Sequence, residues 1–294
     1  MSKLILTLVP LLLPLLVLAQ PDKEQYSVPQ DDLVYMQTSE GLIIYQLLPQ
    51  VAPNHAQRFR DLVIEGWYDG LEFYRVIDGF VAQAGEGERE WNNIKGKPGK
   101  HKAELKAEFT RAMSDNFNLV QNPALLAAQT GFIDSIPAGQ DPVTKEQWLL
   151  HCPGIVAMAR GNDKDSASTE FYINIGQAPR HLDRNMSVFA RVVLGMEVAQ
   201  RMKRGELAKG GVVQDPKQRA QIVSAKLGSQ LPKADRKSVS VDRFHSKRFQ
   251  QRLTSARKRS HEFYTYKGNG NVDVCYYKPK VEVTARSKIN RNES

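Results

Sequence analysis

Residues 73–85 carry the pattern that most restricts the fold of this chain, because two alternating apolar runs are joined there by an Asp-Gly turn. Such an arrangement predicts an antiparallel hairpin. Further short apolar runs lie at residues 33–37, 43–47, 154–161 and 169–176. Many short strands separated by turn residues predict a mainly β fold.

Two segments in the first two thirds of the chain show clear helical spacing. Ala56, Phe59 and Leu62 recur at helical intervals, and residues 195–205 form the second segment before a glycine. Two helices placed between groups of strands are typical of a capped barrel. We therefore expect a closed or nearly closed antiparallel barrel over residues 32–211, preceded by a linker at residues 20–31.

Two further regions do not follow the strand pattern. Residues 86–150 have weak periodicity and many Gly, Lys, Pro and Gln residues, so we expect an insertion of long surface loops. Residues 102–109 within it could be a short helix or strand. Residues 212–294 predict an α+β extension packed on the barrel, with helices at 215–227 and 244–260 and a hairpin around Gly-Asn-Gly.

The charge of the chain is concentrated at one end. Residues 201–294 contain 23 Lys and Arg residues against 8 Asp and Glu residues, a net charge of +15. The first 200 residues have a net charge of −6. This asymmetry favours either an anionic partner or a solvated basic arm.

The N-terminus has the organisation of a secretory signal peptide. Lys3 precedes an almost wholly apolar run at residues 4–18, and Val17 and Ala19 supply a small-residue cleavage site. A membrane anchor is the alternative, but the run is short for a span of ~20 residues and two prolines interrupt it. We therefore expect cleavage near Ala19, a periplasmic location and no transmembrane span in the mature chain.

The cysteines and histidines indicate which disulfide bonds and metal sites the chain could form. The only two cysteines, Cys152 and Cys275, are a disulfide candidate in an exported chain, and two free buried thiols are the alternative. The six histidines are scattered and form no short metal-binding motif. We therefore predict that the protein binds no metal.

Arg75 is a cation placed inside the apolar hairpin. Strict alternation along a strand puts Arg75 on the same face as Phe73. The returning strand can bring three further side chains near the arginine, Phe80, Val81 and Gln83. A cation and an amide beside an apolar patch are the ordinary form of a small binding site.

Five stretches, taken together and in order, resemble the cyclophilin family of peptidyl-prolyl cis/trans isomerases. The hairpin sequence FYRVIDGFVAQAG is similar to the family's F-H-R-V-I-P-G-F-M-x-Q-G-G motif. The whole resemblance spans about residues 32–204, and an exported bacterial subgroup with an insertion and a C-terminal extension is the more specific match. The other similar stretches are GIVAMAR at 154–160, STEFYINI at 168–175, HLDRNMSVFARV at 181–192 and the helix pattern APNHAQRFRDL at 52–62.

The resemblance implies a fold, an activity and a set of site residues. The fold would be an eight-stranded antiparallel barrel capped by two helices, and the activity would need no cofactor. Arg75 takes the position of the catalytic arginine, and the backbone at residues 159–160 takes the position that holds the substrate peptide. The implied substrate-binding residues are Phe80, Val81, Gln83, Ala159, Arg160, Glu170, Phe171, Tyr172, His181 and Leu182.

Several positions depart from the family pattern. Glu170 replaces a Gln beside the pocket, Tyr172 replaces a Phe and adds a hydroxyl, and His181 replaces a Trp at the rim. Val81 and Met186 replace a Met and a His. Since the family binds large cyclic-peptide inhibitors through that Trp, we expect this protein to bind them weakly.

These observations favour a prolyl isomerase that assists the folding of exported proteins. The alternative is a non-catalytic proline-binding chaperone or scaffold of the cell envelope, because a fold does not guarantee a function. The expected partners are unfolded or extended polypeptides that contain proline, and we expect a monomer. The basic extension at residues 212–294 is a candidate contact for an anionic envelope surface, whereas export argues against nucleic acid.

Overall fold

The computed structural model describes residues 24–87 and 103–285, so the signal peptide expected at residues 1–19 lies outside the described residues. Sixteen strands and three α-helices are found in the described part of the chain. In chain order the strands are β1 Gln25–Ser27, β2 Leu33–Thr38, β3 Gly41–Leu47, β4 Glu72–Val76, β5 Val81–Gly85, β6 Arg111–Ala112, β7 Phe117–Gln121, β8 Gln129–Ile133, β9 Ile136–Asp141, β10 Glu146–Leu149, β11 Ile155–Met158, β12 Phe171–Asn174, β13 Val188–Leu194, β14 Ala220–Leu227, β15 Lys237–Asp242 and β16 Val281–Ala285, and the helices are α1 Pro53–Ile64, α2 Met196–Arg201 and α3 Lys247–Lys258.

Eight of these strands close into the expected antiparallel barrel, in the order β11-β12-β5-β4-β14-β2-β3-β13. The last of these eight strands in chain order, β14, pairs with both β4 and β2 and so completes the barrel. The barrel therefore ends at Leu227, and the boundary expected at residue 211 is wrong. The helix expected at residues 215–227 is also wrong. A register shift between Ile222 and Ser224 disturbs the alternation of buried residues there and imitates helical spacing.

The barrel interior is filled by aromatic and aliphatic side chains, and α1 contributes to it. The Phe59 ring of α1 lies 5.1 Å from that of Phe171 and 4.8 Å from that of Phe189, centroid to centroid. The helix begins with proline, whose fixed φ suits the first helical position, and ends before Gly66, which has a φ of 64°. The shorter α2 adds Val198 and Ala199 to the same core.

The described part of the insertion contains a five-stranded antiparallel sheet, in the order β6-β10-β9-β8-β7. The expectation of long surface loops is therefore wrong for residues 111–149, and its part at residues 88–102 lies outside the described residues. A Cβ at Gly131 would lie 2.0 Å from the Asn118 carbonyl oxygen, and one at Gly139 would lie 2.6 Å from the Trp148 ring. These close approaches require glycine inside the strands. Because glycine in a sequence usually indicates a loop, the sequence pattern does not predict the sheet.

Residues 103–109 of the insertion have little regular structure. Residues 103–109 form neither the helix nor the strand expected there. Their regular pairing is limited to one bridge between Leu105 and Ala167. The Ala, Glu and Lys residues of this segment favour a helix by composition, but so short a helix is not stable unless tertiary packing supports it.

The C-terminal extension joins the N-terminal segment in a three-stranded sheet, in the order β1-β15-β16. Residues 25–27 are thus a strand, and the expectation of a linker at 20–31 is wrong there. The helix expected at residues 244–260 is present as α3, which Ser246 caps by accepting a bond from the Phe249 N–H. The hairpin expected around Gly-Asn-Gly is absent, since residues 259–280 contain no strand.

The extension packs on both the insertion and the barrel. Phe249 of α3 lies 5.3 Å from the Phe132 ring of β8, and both belong to an apolar cluster that includes Ile155 of the barrel. A disulfide between Cys152 and Cys275 confirms the expected pairing, with 5.1 Å between the Cα atoms. Among the described residues, no helix has the length and hydropathy needed to cross a membrane.

Candidate active site

A bulge in β4 decides which of its side chains reach the outer face of the barrel. The pairing of β4 with β5 shifts register between Glu72 and Arg75. Phe73 and Val76 are buried in the barrel core, so the consecutive residues Tyr74 and Arg75 both lie outside it. The expectation that Phe73 shares a face with Arg75 is therefore wrong, because strict alternation holds only in a strand without a bulge.

Arg75 is held by two hydrogen bonds from its guanidinium group. Its Nε donates to the Gly210 carbonyl oxygen at 2.8 Å, and its Nη1 donates to Gln83 Oε1 at 3.0 Å. Gln83 lies directly opposite Arg75 in the pairing of β4 with β5. The structure thus brings together the arginine and the amide that the hairpin sequence indicates.

Glu170 fixes the orientation of the Gln83 amide. Its Oε2 accepts bonds from Gln83 Nε2 at 2.6 Å and from the Tyr74 hydroxyl at 2.7 Å, while its Oε1 accepts from the Gly87 N–H at 2.8 Å. A carboxylate is only an acceptor, so the NH₂ group of Gln83 must face Glu170 and its oxygen must face Arg75. Burial, and after it the Glu170 charge, raises the pKa of Tyr74, which therefore stays a donor.

The backbone of β5 has to leave room for this carboxylate. Gly85 has a φ of 149°, and a Cβ there would lie 2.6 Å from Cγ of Glu170. A larger residue would both strain the backbone and displace the Glu170 side chain. Gly85 therefore belongs to the support of the site, as its place in the hairpin motif suggests.

Four apolar side chains cluster on the outer face of the barrel, two of them in the hairpin that carries Arg75, and we call the surface they form the apolar pocket. Val81 and Tyr172 are buried in the outer apolar cluster, and Phe80 and Leu182 pack against it half-buried. All four are among the substrate-binding residues that the resemblance implies, and the structure brings them together. The Phe80 ring also stacks on the exposed His181 ring, with 5.6 Å between centroids and 12° between planes.

Phe171 is not part of this pocket. It is fully buried inside the barrel, in contact with Phe59, Tyr68 and Phe73. The expectation that it contacts substrate is therefore wrong. Successive residues of a strand point to opposite faces, so Tyr172 on the outer face requires Phe171 on the inner face.

The hydroxyl of Tyr172 is directed behind the pocket. It lies 3.1 Å from Nε2 of His151, a fully buried histidine, and the Tyr172 side chain is itself buried. The extra hydroxyl therefore has an internal partner, and the pocket receives the apolar part of the ring. Sequence reasoning missed His151, because its only signal was its position beside Cys152.

Some of the hydrogen-bonding groups of Ala159 and Arg160, which follow β11, are already used inside the protein. The Ala159 N–H donates to the Glu170 carbonyl oxygen at 2.8 Å, so this donor is already used. The Arg160 guanidinium donates to the Asn185 carbonyl oxygen at 3.0 Å and lies over the Phe109 ring at 5.4 Å. A role for the backbone of Ala159 and Arg160 stays a prediction, and for Ala159 it is restricted to the carbonyl oxygen.

Comparison with known proteins agrees with this geometry. The family model described as "Cyclophilin type peptidyl-prolyl cis-trans isomerase/CLD" matches residues 33–227, which run from β2 to β14. A probable peptidyl-prolyl cis-trans isomerase of Brucella suis biovar 1 (strain 1330) is 28% identical over 186 residues, covering 63% of this chain and 79% of the relative. Peptidyl-prolyl cis-trans isomerase A of Dickeya dadantii (strain 3937) is 29% identical over 201 residues, covering 66% and 83% respectively.

A solved structure extends the likeness beyond the barrel. The crystal structure of cyclophilin AquaCyp293 from Hirschia baltica superimposes with a TM-score of 0.71 and 28% sequence identity. The match covers 90% of this chain and 94% of that chain. Because this coverage exceeds residues 33–227, the similarity also takes in residues of the chain outside the barrel.

Proposed function

The chain belongs to the cyclophilin-type peptidyl-prolyl cis-trans isomerase family, and from this premise we propose that it isomerises X-Pro bonds of exported polypeptides, with Arg75 stabilising the twisted amide. The observation that carries the proposal is an arginine fixed at both Nε and Nη1 beside an apolar pocket. The substrate class and the role of Arg75 follow from the physical chemistry of the X-Pro bond.

The barrier to isomerisation comes from amide resonance. Rotation about a peptide bond costs ~18–20 kcal/mol because conjugation between nitrogen and carbonyl is lost on twisting. In the twisted state the prolyl nitrogen regains its lone pair and becomes a hydrogen-bond acceptor. A donor placed at that nitrogen binds the twisted state more strongly than either planar state, and this difference accelerates the reaction.

Arg75 has the properties that this donor needs. Within the described part of the chain, its two bonds engage Nε–H and one Nη1–H, and a guanidinium has five N–H donors in total. The remaining donors are available to the prolyl nitrogen. Arginine also keeps its proton at any ordinary pH, so the donor is always present.

The apolar pocket would hold the proline ring while the bond rotates. Phe80, Val81 and Leu182, together with the Tyr172 ring, present apolar surface beside Arg75. Fixing the ring lets rotation occur on the other side of the amide and keeps the nitrogen near the guanidinium. The step breaks no covalent bond and transfers no electron, so the chemistry calls for no cofactor.

Two features support the proposal that the substrates are exported polypeptides. The apolar run at residues 4–18 has the form of a signal peptide, and the Cys152–Cys275 disulfide is typical of an oxidising compartment. We therefore place the mature protein in the periplasm, where the basic extension could contact an anionic envelope surface. N-terminal sequencing of the protein recovered from periplasm should give Gln20 as the first residue, and an intact leader would contradict cleavage.

The isomerisation of a short Ala-Pro peptide by the mature protein tests the role of Arg75. Removing one preorganised donor costs ~10²–10³ in rate, and we expect Arg75→Ala to lose about this much while retaining its thermal unfolding transition. Arg204→Ala is the matched control, because Arg204 is an arginine bonded to Asp78 in the turn of the same hairpin. It should stay close to the wild-type rate.

Two outcomes would contradict the proposal. Equal losses in Arg75→Ala and Arg204→Ala would show that the charge, and not the placed donor, matters. A wild-type rate no faster than the uncatalysed rate, together with measurable binding of the peptide, would favour the non-catalytic proline-binding chaperone.

A further inference from the structure

His151 is a buried titratable residue next to the proline pocket that the rotation step does not use. It lies between β10 and β11, where the insertion rejoins the barrel, and its side chain is fully buried. Nδ1 of its imidazole lies 3.1 Å from Asp183 Oδ1, and Nε2 lies 3.1 Å from the Tyr172 hydroxyl. The imidazole therefore connects the pocket wall to the segment that forms the rim.

The hydrogen-bond partners define the tautomer of this imidazole. Asp183 accepts from the His151 backbone N–H at 2.8 Å and from Arg180 Nε at 2.6 Å, as expected of an ionised carboxylate. An ionised carboxylate cannot donate, so Nδ1 of His151 carries the hydrogen. Nε2 is then bare and accepts the hydrogen of the Tyr172 hydroxyl.

Both ends of this network lead to substrate-facing positions. Tyr172 lies opposite Gln83 in the pairing of β12 with β5. Asp183 directly follows His181 and Leu182, which end a short helical turn. We call residues 177–186, which contain that turn, the rim segment. A change at the imidazole therefore reaches the pocket from two sides without any contact between His151 and substrate.

We propose that His151 is a positioning residue of the isomerase site, whose neutral imidazole holds the Tyr172 ring and the Leu182 end of the rim segment in the conformation that binds proline. The inference rests on the proposed function, because it assigns a role within the same site. It predicts that loss of the imidazole weakens peptide binding and leaves the rotation step itself almost unchanged.

Protonation of the imidazole should have the same effect as its removal. A second hydrogen on Nε2 would face the Tyr172 hydroxyl, whose own hydrogen would then lose its acceptor. Burial lowers the pKa of His151 from its ordinary value of 6.5, Arg180 and His181 reinforce the lowering, and Asp183 opposes it. Folding therefore favours the neutral form, and the contribution of that form is lost as pH falls through the lowered pKa of His151 in the folded protein.

The test is a double-mutant cycle measured on a short Ala-Pro peptide. His151→Leu removes the acceptor of Tyr172, and we expect KM to rise about tenfold, equivalent to ~1.4 kcal/mol, with kcat within about twofold. Tyr172→Phe in the same protein removes the stranded donor and should recover most of this loss, since deleting both partners is nearly neutral. His151→Gln keeps an acceptor without a titrating group, so it should bind like the wild type at neutral pH.

The pH profile separates positioning from simple structural support. For the wild type, KM should rise as pH falls below the ordinary histidine pKa of 6.5 and through the lower pKa of His151, whereas His151→Gln should show no such rise. His55→Gln is the matched control, because His55 is also fully buried and pairs with a carboxylate, with 2.6 Å between Nδ1 and Glu108. This control can lower stability but should leave KM and its pH profile unchanged.

Several results would overturn the inference. These are an unchanged KM in both His151 variants, a failure of Tyr172→Phe to compensate, an acid rise in KM that persists in His151→Gln, or the same rise in KM in His55→Gln. Titration of the peptide followed by NMR measures the pocket without turnover. A wild type that binds but does not isomerise refutes the proposed function while the binding arm still tests His151, and one that does neither overturns both.

Discussion

Replacing Glu170 by Gln changes the charge of the group that orients Gln83 and leaves its size nearly the same. The substitution introduces the residue that the family pattern has at this position. In this protein the carboxylate accepts from Gln83 Nε2 at 2.6 Å, from the Tyr74 hydroxyl at 2.7 Å and from the Gly87 N–H at 2.8 Å. A primary amide has one accepting oxygen, so it cannot satisfy all three donors.

The magnitude follows from these three bonds. In its better orientation the introduced amide keeps Gln83 and Tyr74 as donors to its oxygen and turns its NH₂ group toward Gly87. One bond to a charged acceptor, worth ~1.5–3 kcal/mol, is then lost, and two others weaken to the ~0.5–1.5 kcal/mol of neutral bonds. Since Glu170 is only half-buried, we expect the free energy of unfolding to fall by about 2 kcal/mol in all.

Catalysis should suffer because the Gln83 amide loses its unique orientation. An amide at position 170 can donate to Gln83 as well as accept from it, so Gln83 can turn its NH₂ group toward Arg75. We expect kcat/KM to fall about tenfold, ~1.4 kcal/mol, through the fraction of protein in which Arg75 has lost its acceptor. The opposing effect, a less compensated Arg75 charge, should be smaller because Glu170 contacts Arg75 only through Gln83.

The assay combines isomerisation of an Ala-Pro peptide with urea unfolding of the same preparations. Glu72→Gln is the matched control, since Glu72 is a half-buried glutamate of β4 whose carboxylate lies 3.4 Å from Arg219. It should change kcat/KM by less than about twofold. Tyr74→Phe combined with Glu170→Gln should lose less than the two single losses added together, because Glu170→Gln weakens the same bond that Tyr74→Phe removes. An unchanged or increased kcat/KM in Glu170→Gln would refute the argument.

Two further predictions concern stability. Replacing Cys152 and Cys275 together by Ser opens a cross-link of 123 residues and should lower the free energy of unfolding by about 4 kcal/mol, measured by urea unfolding; an effect below about 1 kcal/mol would contradict this. Burial raises the pKa of Tyr45, Tyr68 and Tyr172 above 10.0, so unfolded tyrosines ionise first and stability, complete below pH 10.0, is lost as pH rises above it. Unfolding followed by ultraviolet absorbance of tyrosinate checks the sign, and a constant free energy up to about pH 11 would show that these side chains are accessible when folded.

The part of the site that could be predicted from the sequence lies in one hairpin. Arg75, Phe80 and Gln83 are at most eight residues apart, so strand geometry alone places them together. Alternation failed within the same hairpin at the bulge, where Tyr74 joined Arg75 on the outer face. On its other side the bulged segment of β4 pairs with residues distant in sequence, β14 and Val212, and such pairing leaves no clear mark in local periodicity.

The supporting contacts could not be predicted, because their partners are distant in sequence. Glu170 reaches Gln83 across 87 positions, and His151 reaches Asp183 across 32. The sequence alone does not determine which partner Glu170 or His151 contacts. These partners are determined only when the barrel closes. Closure places β12 beside β5, and it places the rim segment beside the end of the insertion.

The rim segment is where the insertion and the C-terminal extension contact the candidate active site. Its own regular bonds are short-range, from Asp183 N–H to Arg180 and from Asn185 N–H to Leu182, at 3.1 and 2.9 Å. Such turns fix a local shape but no position relative to the pocket.

Contacts from elsewhere supply that position. The Arg184 guanidinium lies 5.0 Å from the centre of the Trp148 ring of the insertion sheet and is paired with Glu146 of the same strand. Arg180 Nη1 lies 4.0 Å from the Cys275 sulfur of the extension, and Asp183 is bonded to His151. The insertion and the extension therefore both hold the segment that carries His181 and Leu182, so their folding affects the geometry of the pocket although neither contributes Arg75.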